Sequence, residues 1–66
     1  MPLVAIHLLE GRDAEQKKKL LQAVTDAVHE SIGASLPSIR VWIQEISPEE
    51  YMAGGELAAD RRRRSG

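Results

Sequence analysis

The sequence predicts a small α/β domain, α+β-like in size, built on one βαβ unit with parallel strands and followed by a short C-terminal hairpin. Three patterns carry this expectation. Leu3 to Leu9 is apolar almost without a break, as in a strand buried on both faces. Apolar residues then recur at three- and four-residue spacing as far as Ile32, the stripe of an amphipathic helix. From Ile39 to Ile46 they alternate again, at the period of a strand. The order strand, helix, strand places the two strands in parallel with a right-handed crossover.

Each element has its own local signals. In the first strand, Val4, Ile6 and Leu8 share one face, while Leu3, Ala5, His7 and Leu9 share the other. Glu10, Gly11 and Arg12 form a polar turn, after which Asp13 is the expected N-cap and Gln16 completes a capping box. The helical stripe runs through Leu20, Leu21, Val24, Ala27, Val28 and Ile32, and Gly33 supplies the stop. Residues 34–38 read as a loop. In the second strand Ile39, Val41 and Ile43 face one way, and Arg40, Trp42 and Gln44 the other. One helix covers one sheet face, so the face carrying Leu3, Ala5, Leu9, Arg40 and Trp42 is expected to meet another subunit. Beyond Ser47-Pro48, the pair Gly54-Gly55 suits a tight hairpin turn.

The domain is expected to span residues 2–58. Residues 59–66, with Arg61, Arg62, Arg63 and Arg64, read as a polar, solvated and frayed tail, since no aromatic residues interleave with the arginines as nucleic-acid binding would favour. Sixty-six residues bury only about 60% of their unfolded surface, which makes a lone core marginal. The chain has no cysteine, and His7 and His29 lie in no zinc-ligand spacing, so oligomerisation is the remaining source of stability. A net charge of −1 gives no global attraction to nucleic acid or to a membrane surface. No segment nears the about 20 apolar residues of a membrane span, and the run 3–9 is too short for a usual signal peptide. A cytoplasmic location is expected.

Pro2 is the most informative residue for function. Cytosolic processing removes an initiator Met that precedes a small residue, so the mature chain is expected to begin at Pro2, with a secondary amine. That amine has a lone pair and no amide resonance. Free α-amino groups titrate near 7.7–8.0, and apolar surroundings disfavour the ammonium and bring the amine toward neutrality, where a general base works best. The alternative is that Pro2 merely opens an edge strand without needing an N–H. Arg12 and Arg40 likewise have two readings. Arg12 either flanks the helix cap or binds an anion beside the helix N-terminus, and Arg40 either lays its stem over Trp42 or stabilises a developing oxyanion. His7 reads as a core or interface histidine with its ring hydrogen-bonded, and Trp42 and Met52 as packing residues.

The stretch Pro2…Ile6-His7-Leu8-Leu9-Glu10-Gly11-Arg12…Glu15-Gln16-Lys17, with Ser38-Ile39-Arg40-Val41 and Gly54-Gly55-Glu56-Leu57, resembles the 4-oxalocrotonate tautomerase (2-hydroxymuconate tautomerase) family of the tautomerase superfamily. The resemblance runs without gaps from Pro2 to about Leu57. It implies a hexamer made as a trimer of dimers, and a cofactor-free isomerase with no metal that converts 2-hydroxy-dienoate acids to 2-oxo enoates. It also implies that Pro2 is the general base and acid and that Arg12 and Arg40 hold a small mono- or dicarboxylate, with Arg40 supplied by a neighbouring subunit. Leu9 would line an apolar wall and Ser38 would touch the substrate. Tyr51 stands where the type enzyme has Phe, and bears on which substrate is taken. Two other functions fit the same residues. One is a hydratase or dehalogenase of haloacrylate-like acids in the same superfamily; the other is a non-catalytic oligomeric protein, should Met1 be retained.

Overall fold

The computed structural model describes residues 1–65. Strand β1 (Leu3–Leu9) is followed by helix α1 (Ala14–Ile32), a 3-10 turn (Leu36–Ser38), strand β2 (Arg40–Ile46) and a second 3-10 turn (Pro48–Glu50). The two-residue strands β3 (Met52–Ala53) and β4 (Glu56–Leu57) and helix α2 (Ala58–Ser65) complete the chain. β1 and β2 pair in parallel, Leu3 opposite Arg40 and Leu9 opposite Ile46. The ladder runs one bond past each end: the Arg40 N–H donates to the Pro2 carbonyl, and the Glu10 N–H to the Ile46 carbonyl, both at 3.0 Å.

Helix α1 starts where its cap chemistry dictates. The Asp13 carboxylate accepts the Gln16 N–H at 2.8 Å, and the Gln16 side chain accepts the Asp13 N–H, so both halves of the capping box are present. At the other end Gly33 takes a left-handed φ of 72° and its N–H bonds the His29 carbonyl. Leu20, Leu21, Val24 and Val28 turn inward. Ala27 and Ile32, also assigned to the stripe by spacing, are exposed. The Lys17–Glu45 ion pair, at 3.3 Å, ties the first turns of α1 to β2. In the hairpin, Gly54 and Gly55 have φ of 59° and 89°, the two positive values that a tight two-residue turn requires.

Four expectations need correction. β2 begins at Arg40 rather than Ile39, because the Ile39 N–H is spent on the Leu36 carbonyl and closes the 3-10 turn. β1 is not buried on both faces of the single chain: Val4, Ile6 and Leu8 are half-buried, but Leu3 is 64% exposed, and Ala5 and His7 are exposed beside it. His7 is therefore no core residue in one chain, and its ring has no hydrogen bond among the described residues; Trp42 and Met52 are exposed as well. Finally, the frayed tail is a helix over Ala58–Ser65, with Gly66 outside the described residues. It holds because Ala59 is buried, at 7% exposure, on the packing of α2 against β4 and the turn Pro48–Glu50, and because three of its arginines find partners.

The molecule is thin and long, 44 × 24 × 15 Å. Its radius of gyration is 15.1 Å, against about 11 Å for a compact chain of this length. The buried residues are Ile39 and Ala59 alone among the described residues. A chain of this shape leaves most of its apolar side chains half-buried or exposed.

Candidate active site

The βαβ register divides the predicted site residues between two ends of the sheet. Pro2 lies at the start of β1, where its carbonyl accepts the Arg40 N–H. Ser38 closes the 3-10 turn just before β2, at the same end. Leu9, Arg12 and Tyr51 belong to the opposite end. Seven residues of extended chain separate Pro2 from Leu9, about 23 Å at the usual strand rise. One chain therefore does not gather all the predicted residues around one ligand.

At the Pro2 end, Arg40 lies on the open sheet face, with Leu3 as its register partner. Its Nη1 donates to the Pro37 carbonyl at 2.6 Å and to the Ile39 carbonyl at 3.4 Å. These contacts fix the guanidinium and leave its remaining N–H groups for an oxyanion. The Ser38 hydroxyl donates to the Ser35 carbonyl at 2.8 Å, so toward a ligand it can only accept. Pro2 itself is half-buried and Met1 exposed.

At the other end, Leu9, Tyr51, Ala53, Glu56, Ala58, Arg61 and Arg62 line a cleft of about 470 Å³. Leu9 and Tyr51 thus line one cleft, one from the end of β1 and the other from just before β3. The Tyr51 carbonyl accepts the Ala58 N–H at 2.8 Å, which seats the start of α2 against the hairpin. Arg12 is exposed in the turn between β1 and α1, directly before the N-cap Asp13. Sequence reasoning missed the share of α2 in this cleft. The signal was present in Glu56, Ala58, Ala59 and Asp60, good helix formers and acids placed to answer the arginines that follow. Among the described residues, no three His, Asp or Glu side chains gather as ligands for a metal ion.

The chain's relatives are consistent with this geometry. A family model described as "Tautomerase enzyme" matches residues 2–61. A 2-hydroxymuconate tautomerase of Pseudomonas putida is 46% identical over 63 residues, covering 96% of this chain and the whole of that protein. The crystal structure of TomN, a 4-oxalocrotonate tautomerase homologue of the tomaymycin biosynthetic pathway, superposes with a TM-score of 0.91 at 37% identity, covering 98% of this chain and 100% of that one. A heterohexamer 4-oxalocrotonate tautomerase from Chloroflexus aurantiacus J-10-fl superposes with a TM-score of 0.86, also at 37% identity, over 91% of this chain and 97% of that one. The βαβ unit with its C-terminal hairpin is their fold, and this chain belongs to the tautomerase enzyme family.

Proposed function

We propose that this protein is a cofactor-independent tautomerase that converts 2-hydroxy-dienoate acids of the 2-hydroxymuconate kind to their 2-oxo enoate forms. The observation that carries the reading is the match over 96% of the chain to a 2-hydroxymuconate tautomerase, in a fold that holds the backbone of Pro2 in the ladder at an open sheet end. With Met1 removed, the Pro2 nitrogen is an amine whose lone pair takes the proton of the substrate's 2-hydroxyl. The electron pair left on oxygen spreads through the diene, and the prolinium returns the same proton to the carbon at the far end. A 2-oxo group results and the amine is restored. Negative charge grows on the C2 oxygen during this transfer, and a preorganised guanidinium, that of Arg40, stabilises it. Arg12 holds the remote carboxylate.

The separation of these residues between the two ends of the sheet supports an assembly as the working unit. Leu9, Arg12 and Tyr51 reach Pro2 when a second copy packs with its sheet reversed, which also covers Leu3, Ala5 and Trp42, and the Arg40 that serves that Pro2 comes from a neighbouring subunit. Six copies, as three such dimers, form the proposed homo-oligomer. A water-adding or dehalogenating role asks for a carboxylate to position water; Glu56 lines the cleft but is held by Arg64 at 2.7 Å, which favours the tautomerase reading. Intact mass measurement paired with an ultraviolet assay of 2-hydroxymuconate tests the mechanism. Chains lacking Met1 should turn over, and chains shown by mass to retain it should be folded and inactive. Undiminished turnover by the Met1-bearing form would contradict it.

A further inference from the structure

The open face of the β1–β2 ladder carries one wholly polar row. Register pairs Leu3 with Arg40, Ala5 with Trp42, His7 with Gln44 and Leu9 with Ile46, so His7 and Gln44 lie between two apolar rows. Both side chains are exposed, and neither makes a hydrogen bond among the described residues. Each offers a donor and an acceptor: the neutral imidazole has one N–H and one bare nitrogen, and the amide an NH2 and a carbonyl. Such a row can satisfy a copy of itself without leaving a charge unanswered. β1 also has room for one, since β2 occupies only one of its edges.

The divided site fixes where that copy lies. A reversed copy along the free edge of β1 that carries Arg12 of one chain to Pro2 of the other has its two-fold axis at residue 7, midway between those positions. His7 then stands opposite His7 of the partner subunit, with Cβ atoms about 5 Å apart, and Gln44 extends the polar row on either side. Ala5 stands opposite Leu9, small against large. A slip of two residues, about 7 Å, keeps the open faces together but sets His7 against Ala5 or Leu9, which offer its ring no donor or acceptor, and draws Arg12 away from Pro2. We propose that His7 is a positioning residue: it pairs with its own copy at the two-fold axis, and that pairing fixes the register in which Arg12 of one chain serves Pro2 of the other. The proposal deepens the tautomerase reading and rests on it for the shared site.

The chain has no cysteine, so single cysteines report which positions meet. His7→Cys, Ala5→Cys and Leu9→Cys are each oxidised mildly or treated with a short thiol cross-linker and run on a non-reducing gel. His7→Cys should link to a covalent dimer, whereas Ala5→Cys and Leu9→Cys should stay single alone and link when refolded together. His7 is exposed in the single chain, so its replacement should leave the protomer fold intact, which circular dichroism checks. His7→Leu should keep the assembled mass in native mass spectrometry, and its kcat for 2-hydroxymuconate should fall about threefold with KM kept, as the working register and its two slipped neighbours become comparable. His7→Gln keeps a donor and an acceptor and should restore kcat. Failure of His7→Cys to link, self-linkage of Ala5→Cys or Leu9→Cys, or an unchanged kcat in His7→Leu would each overturn the proposal. Linkage through residue 7 without turnover by wild type would instead keep the pairing and reject the tautomerase reading.

Discussion

Pro2, Arg40 and Arg12 show how far single residues can be read from a sequence. Pro2 stood out by chemistry alone, because no other residue gives a secondary amine at a chain start. Arg40 stood out by its strand position, but its bond to the Pro37 carbonyl follows from the 3-10 turn before β2, which no spacing rule predicts. Leu9 and Tyr51 are 42 residues apart in the chain yet line one cleft, beside which Arg62 ties α2 to the Glu10 carbonyl. The two arginines should separate kinetically. Arg40→Ala removes charge stabilisation that grows in the transition state, so kcat should fall by about 10²–10³ with KM little changed. Arg12→Ala loosens the remote carboxylate, so KM for 2-hydroxymuconate should rise about tenfold with kcat nearly kept. Steady-state kinetics on 2-hydroxymuconate and a monocarboxylate analogue checks both, and an equal loss on the two substrates in Arg12→Ala would assign that residue another role.

At the scale of elements, local chemistry was legible and packing was not. Helix α1 begins and ends where Asp13, Gln16 and Gly33 place it, since capping is settled within a few residues. The hairpin at Gly54-Gly55 is equally local. Helix α2 was missed because residues 59–66 read as a polar, solvated tail, whereas Asp60, Glu56 and the Glu10 carbonyl each answer one arginine, and the last two lie outside the helix. The capping box gives a clean stability test: Asp13→Ala removes the acceptor for the Gln16 N–H and should cost about 1 kcal/mol. Denaturant unfolding at fixed protein concentration measures this, and an unchanged midpoint would show that packing, not the cap, sets the start of α1.

The whole molecule was legible only as an incompleteness. An aliphatic chain without cysteine or phenylalanine, with one helix for two sheet faces, foretold surface for other copies to cover. The 15.1 Å radius of gyration and the open face of Leu3, Ala5 and Trp42 give that shortage its form. What composition did not convey is that the proposed site residues are divided, Pro2 and Arg40 at one end of the ladder and Leu9, Arg12 and Tyr51 at the other. The most direct test of a Pro2-based site shared between copies is to mix two defective chains. One keeps its Pro2 nitrogen as an amide through a retained leading residue, verified by intact mass; the other is Arg12→Ala. The first alone should be silent and the second should keep about a tenth of wild-type activity at low substrate concentration, whereas random co-assembly should give about a quarter, since each site draws Pro2 from one chain and Arg12 from another. A mixture no more active than the mean of its two parents, after native mass spectrometry confirms subunit exchange, would contradict the account.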